Sequence, residues 1–86
     1  MEDTEVKRRI KGMLVERLFL DVEPDSIADD TSIMDEFDID SVRLFEVVVG
    51  TEEVFDISFE DDDFSIEMFK DVNAIADTVK SKLSSD

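Results

Sequence analysis

Asp38-Ile39-Asp40-Ser41-Val42 stands where an acidic, irregular stretch gives way to an amphipathic helix. Asp40 suits the N-cap, because a short carboxylate can accept from the free N–H groups of a first helical turn. Behind it, residues 41–55 read as one helix. At roughly 100° per residue, Leu44, Val48, Thr51 and Phe55 form one stripe, with Val47 beside it. Val42, Phe45 and Val49 form a second, roughly 130° away by the same step. Glu46 and Glu53 flank that second stripe on one side and Glu52 on the other. A helix wedged between neighbours would use both stripes for packing. In 86 residues there is too little protein to cover both, and an apolar stripe ringed by acids fits a protein-binding patch. Ser41, a hydroxyl at the start of this helix, reads as a group held outward to carry something. The plainer reading of an isolated serine at such a place is a helix cap.

Upstream, residues 4 to about 19 read as a first helix. Val6, Ile10, Met13, Leu14 and Leu18 recur at steps of three and four, and Thr4 is placed to cap it. Gly12 inside this helix costs roughly 1 kcal/mol relative to alanine; a close helix approach and a tolerated blemish are equal readings. Between residues 21 and 40 the periodicity stops. Glu23-Pro24-Asp25 and Asp29-Asp30-Thr31-Ser32 read as turns. Val22, Ile27, Ile33, Phe37 and Ile39 are spaced through this loop, which predicts that it packs across a core and buries all five.

Downstream, residues 56–65 read as a loop in which Ile57 and Phe59 alternate with Ser58 and residues 60–63 form a solvated acidic run. A short helical turn fits residues 64–69. A last helix is predicted from Val72 to about Leu83, with Asp71 as its N-cap. Val72, Ile75, Ala76, Val79 and Leu83 make its buried face, and Lys80 and Lys82 suit its C-terminal end. Residues 84–86 should fray. No strand pair is visible. The expected fold is all-α: a small three-to-four-helix bundle with a long loop between helices one and two, one domain over residues 1–86.

Charge narrows the function. Twenty-five acids against nine basic residues leave a net −16, which repels nucleic acid and anionic membranes and attracts proteins with basic patches. Solubility is the blander account of so much acid. The chain has no cysteine and no histidine, so a catalytic reading must rest on carboxylates, serines and lysines. No catalytic set stands out. A carboxylate pair such as Asp38 and Asp40 needs a concave, partly desolvated site, and a domain this small offers little room for one. A calcium loop begun at Asp35 puts Phe37 and Ile39 at ligand positions and Asp40 at the glycine position; begun at Glu36, it has Ser41 for glycine and Val47 for the final glutamate. Neither register works, and no metal site is expected. The acidic N-terminus lacks the pattern of a signal or transit peptide and no apolar run is long enough to span a bilayer, so a cytoplasmic monomer is expected.

Taken together, the chain resembles an acyl carrier protein over nearly its whole length. The central match is Asp40-Ser41-Val42, where that phosphopantetheine-binding family usually reads Asp-Ser-Leu. Asp30-Thr31-Ser32-Ile33 and Asp35-Glu36-Phe37 stand upstream; Glu46, Glu52-Glu53-Val54-Phe55 and Asp71-Val72-Asn73-Ala74-Ile75 stand downstream. The resemblance implies that Ser41 receives 4′-phosphopantetheine from coenzyme A through a magnesium-using phosphopantetheinyl transferase, and that Asp40 helps the transferase recognise it. It implies that the arm's thiol then holds an acyl group as a thioester. Asp40, Val42, Arg43, Phe45, Glu46, Val49, Glu52 and Glu53 fall on the surface that acyl-loading and acyl-using enzymes with basic patches would dock against. The chain departs from the pattern at Phe37-Asp38, where the family commonly has Leu-Gly and where the loop presenting Ser41 is expected to change. Arg43 replaces a frequent acid, Phe45 is bulkier than usual, and residues 59–69 are slightly longer with extra phenylalanine. These differences suggest a specialised carrier with dedicated partners more than a housekeeping fatty-acid one, and neutral drift is the blander account. The resemblance as a whole implies shuttling of an acyl group in fatty-acid or specialised lipid or polyketide synthesis. An aminoacyl carrier (D-alanyl, for example) and an unmodified acidic helical adaptor are the alternatives.

Overall fold

The computed structural model describes residues 2–59 and 65–84. Its first helix, α1 (Asp3–Arg17), buries Val6, Ile10, Met13 and Leu14 on the expected stripe. It starts earlier than the sequence suggests. Glu2, without a side-chain cap bond, holds the N-cap position, and Thr4 lies inside the helix. The reason is electrostatic: Asp3 and Glu5 occupy the first turn, where the helix dipole favours acids. Asp3 is further tied to Lys7 at 3.1 Å and to Lys80 of the last helix at 2.5 Å. Hydrogen bonds from Lys80 and then Lys7 hold its carboxyl below the usual carboxylate range.

α1 also ends earlier than predicted. The Leu18 N–H donates to Leu14 O, Phe19 turns left-handed at φ 54, and the Leu20 N–H reaches back to Val15 O at 3.1 Å. This is a Schellman closure, which normally uses glycine at the left-handed position. With phenylalanine there, the backbone costs about 1–2 kcal/mol more than with glycine.

The long loop does pack across the core. It holds a 3₁₀ turn at Pro24–Ser26 and a single helical turn, α2 (Ile33–Glu36). Ile27 and Ile33 are buried, and Phe37 and Ile39 pack partly buried against the core. Val22 is a correction: it is 42% exposed. Beyond the Pro24 turn, Ile27 takes the inward position, and Val22 is left on the rim of a small depression that it shares with Ile27 and Phe37. Backbone bonds from Ile33 N to Lys70 O (2.9 Å) and from Asn73 N to Asp29 O (3.0 Å) tether the loop to the far end of the chain. Lys11 at 2.8 Å and Lys7 at 3.3 Å clamp the Asp29 carboxylate to α1. Hydrogen bonds from Lys11, with a smaller share from Lys7, hold that carboxyl below its ordinary value.

The third helix, α3 (Ser41–Phe55), has the predicted bounds and buries Leu44, Val47, Val48, Gly50, Thr51 and Phe55. The Thr51 hydroxyl is satisfied by Val47 O at 2.7 Å. Gly50 packs tightly under α1: a Cβ there would stand 2.8 Å from Met13 Sδ and 3.0 Å from Arg17 Cγ. Gly12 faces open space, so of its two readings the tolerated blemish holds.

Past α3, Ile57 and Phe59 pack against the core. The Phe59 ring meets Phe69 edge-on at 5.5 Å and lies under the Lys82 ammonium at 5.4 Å. A 3₁₀ turn at Ile66–Phe69 matches the later part of the predicted turn; residue 64 and the acidic run at 60–63 lie outside the described residues. α4 (Val72–Ser84) follows, its first turn closed by Asp71 Oδ1 accepting from Ala74 N at 2.7 Å. Val72, Ile75, Ala76 and Val79 are buried, while Leu83 is only partly covered. Ser84 remains helical, and residues 85–86, expected to fray, lie outside the described residues. Among the described residues there is no strand: the fold is the expected all-α bundle.

Candidate functional site

The first turn of α3 is set up by the two residues before it. Asp38 adopts φ 52, and the Ile39 N–H reaches back to Met34 O at 3.1 Å, closing α2 and turning the chain toward α3. The turn that glycine would make most easily is therefore made by aspartate, whose short polar side chain tolerates this region better than most. The missing glycine does not remove the turn. Asp40 then stays extended and its carboxylate accepts from Arg43 N at 2.9 Å.

That bond separates two readings of Ser41. The cap is Asp40, and Ser41 is the first residue inside the helix, exposed. It thus belongs to the helix end where free N–H groups gather and the dipole favours negative charge.

Along α3 the two stripes separate as expected. Val42 is 77% and Phe45 57% exposed, and Val49 is half-buried. Glu46 and Glu53 are exposed beside them and Glu52 is half-buried. These residues share one outward surface with Ser41 at its upper end.

The acids are less free than the sequence implies. Arg17, from the end of α1, pairs with Glu53 and lies 3.8 Å from Glu46. Glu52 accepts from the Phe59 N–H at 2.8 Å, so it fastens the following loop. Arg43 directs its guanidinium to the Leu18 carbonyl at 3.3 Å, which stitches the first turn of α3 to the end of α1. Arg17 lies off the apolar stripe of its helix, and the stripe alone does not disclose these pairs. No periodicity carries such a contact, because it depends on how closely α1 and α3 cross at Gly50. Phe19, 88% exposed, was also missed as a surface feature.

Among the described residues no group of three or more acids is placed to hold a metal ion, and no helix is long and apolar enough to cross a membrane.

Comparison with known proteins places this geometry. Residues 8–79 match the family model described as a phosphopantetheine attachment site. The acyl carrier protein of Bdellovibrio bacteriovorus is 32% identical over 74 residues, covering 86% of this chain and 90% of that protein. That of Zymomonas mobilis is 39% identical over 62 residues, 72% of this chain and 74% of its own. The solution structure of a holo acyl carrier protein from Nitrosomonas europaea superposes with a TM-score of 0.79 at 25% identity, covering 91% of this chain and 95% of that one. A carrier protein from Agrobacterium tumefaciens, crystallised with an engineered Bradyrhizobium japonicum glycine:[carrier protein] ligase and AMP, gives 0.73 at 31% identity, covering 86% and 97%.

Proposed function

The chain belongs to the phosphopantetheine-attachment family of acyl carrier proteins, a carrier and not an enzyme, and from that premise we propose that Ser41 is the residue that takes the 4′-phosphopantetheine arm. One observation carries the assignment: Ser41 is exposed at the first position of α3 while Asp40 does the capping. The residues fit the group. An uncovered hydroxyl can reach an enzyme's active site, and a phosphodiester on it would meet the positive end of the α3 dipole. When bound, the arm supplies the thiol that this cysteine-free chain lacks, and a cargo rides on it as a thioester.

The chain's own residues position and recruit. Asp40 fixes the first turn and offers the transferase an acid next to its target. Val42, Phe45 and Val49 give partners an apolar contact. Glu46, Glu52 and Glu53 draw in basic surfaces, and Arg43 adds one cation that a partner must accommodate. We read the cargo as acyl, in fatty-acid or specialised lipid or polyketide synthesis. A second reading, an aminoacyl cargo, is favoured by the 31% identity to a carrier crystallised with a glycine:[carrier protein] ligase.

Incubation of the purified chain with coenzyme A, magnesium and a phosphopantetheinyl transferase, followed by peptide mass spectrometry, tests the attachment. The expected result is one adduct on Ser41, absent in a Ser41→Ala variant that keeps the wild-type helical circular dichroism. A wild-type chain left bare while a control carrier is loaded would sink the proposal. Offering the holo chain malonyl-transferring and glycine-activating enzymes side by side separates the two cargo readings.

A further inference from the structure

Phe19 has no use inside the fold. It is 88% exposed, so it adds nothing to the core, and it holds the left-handed φ of 54 that a bulky side chain rarely adopts. Any residue could close α1 there, and glycine would do so with least strain. A large aromatic kept in water on a strained backbone points to a use outside the chain.

Its neighbourhood says which use. Arg43, two residues after Ser41, hydrogen-bonds the carbonyl of Leu18, the residue before Phe19, at 3.3 Å. Arg17, two residues before Phe19, pairs with Glu46 and Glu53. The end of α1 is thus fastened along the exposed side of α3, and Phe19, the residue after the Leu18 carbonyl that Arg43 holds, stands exposed at the end of α1 that meets the first turn of α3. An enzyme acting on the thiol works at the far end of a long arm. The transferase alone must close on the Ser41 hydroxyl itself, and so must cover this first turn.

Resting on the Ser41 reading, we propose that Phe19 is an anchor for the phosphopantetheinyl transferase, filling an apolar pocket on that enzyme beside the basic patch that meets Glu46 and Glu53. Charge brings the partners together; the aromatic supplies the desolvated contact that slows release.

The test is steady-state loading by a broad-specificity transferase with coenzyme A, read as adduct on Ser41 against carrier concentration. Phe19→Gly is expected to raise the KM for the carrier about tenfold with kcat unchanged. Phe19→Leu should recover most of the loss, because it restores apolar bulk. Thermal melts should place Phe19→Gly above the wild-type midpoint, since glycine relieves the turn. A wild-type KM in Phe19→Gly overturns the anchor while leaving the Ser41 reading intact. A fall in kcat at constant KM overturns it too, by pointing to the turn's geometry and not to a contact. A wild-type chain that takes no adduct overturns the Ser41 reading first and the anchor with it.

Discussion

The two faces of α3 are built from the same kind of residue and meet opposite fates. Leu44, Val47, Val48 and Phe55 are shut in the core, whereas Val42 and Phe45, on the same fifteen-residue helix, stand mostly in water. Side-chain chemistry does not separate them; position around the helix does. The inner face meets α1, whose Met13 and Arg17 side chains close tightly over Gly50. On the outer face Arg17 reaches Glu46 and Glu53, Arg43 reaches back to Leu18, and Glu52 holds the Phe59 N–H. One helix therefore stabilises the domain with one side and addresses partners with the other, and damage to the two sides should be separable.

The largest effect expected is on the inner face. Leu44→Ala removes a side chain that is fully buried and should cost about 3 kcal/mol, much of the stability of a domain this size. Val42→Ala, one turn edge away but exposed, should stay within about 0.5 kcal/mol of wild type. Urea unfolding followed by circular dichroism measures both. Equal losses would break the division between the faces.

A smaller effect sharpens the outer face. Glu46→Lys should slow association with the transferase several-fold at low salt, and the difference should shrink as salt screens the charges. Its fold should survive, because the exposed pair it gives up, 3.8 Å from Arg17, is worth only about 0–1 kcal/mol. Arg17→Gln should act in the opposite direction, uncovering Glu46 and Glu53 and quickening association. Stopped-flow rates unaffected by either change would remove the acids from recruitment.

How much of this the sequence discloses depends on whether a feature is local. The α3 cap at Asp40, both of its faces and the Asp71 start of α4 are local, since side-chain spacing and a short acid before an apolar-periodic run specify them. Helix ends are where legibility fails. The usual stop signal is glycine, yet the two glycines of this chain lie inside helices, and left-handed closures fall on Phe19, Asp38 and Asp56. The predicted α1 consequently ran on past Arg17. Thr4 reads as a cap from the sequence because Lys80, which holds Asp3 at the first turn, lies 77 residues away in the chain. The candidate site divides in the same way. The helix-start position of Ser41 and the outward stripe are legible in the sequence; the contacts of Arg17 with Glu46 and Glu53 and of Arg43 with Leu18 are not, because they exist only once α1 and α3 have packed.

The smallest prediction concerns what sets the two faces in the first place. Asp38 at φ 52 turns the chain from α2 into α3, and a different turn would rotate the helix and exchange its inner and outer stripes. Asp38→Gly keeps that turn available at lower strain. Against the gain stands the extra freedom that glycine gives the unfolded chain. Aspartate is among the residues that bear the left-handed region best, so the net stabilisation should be modest, about 0.5–1 kcal/mol, and smaller than that of Phe19→Gly. Loading at Ser41 should keep its wild-type KM, since Asp40 still caps α3 through Arg43 N. A destabilised Asp38→Gly would mean that the aspartate side chain, and not the backbone angle, holds the turn; a raised KM at unchanged stability would mean that Asp38 is itself part of the surface the transferase touches.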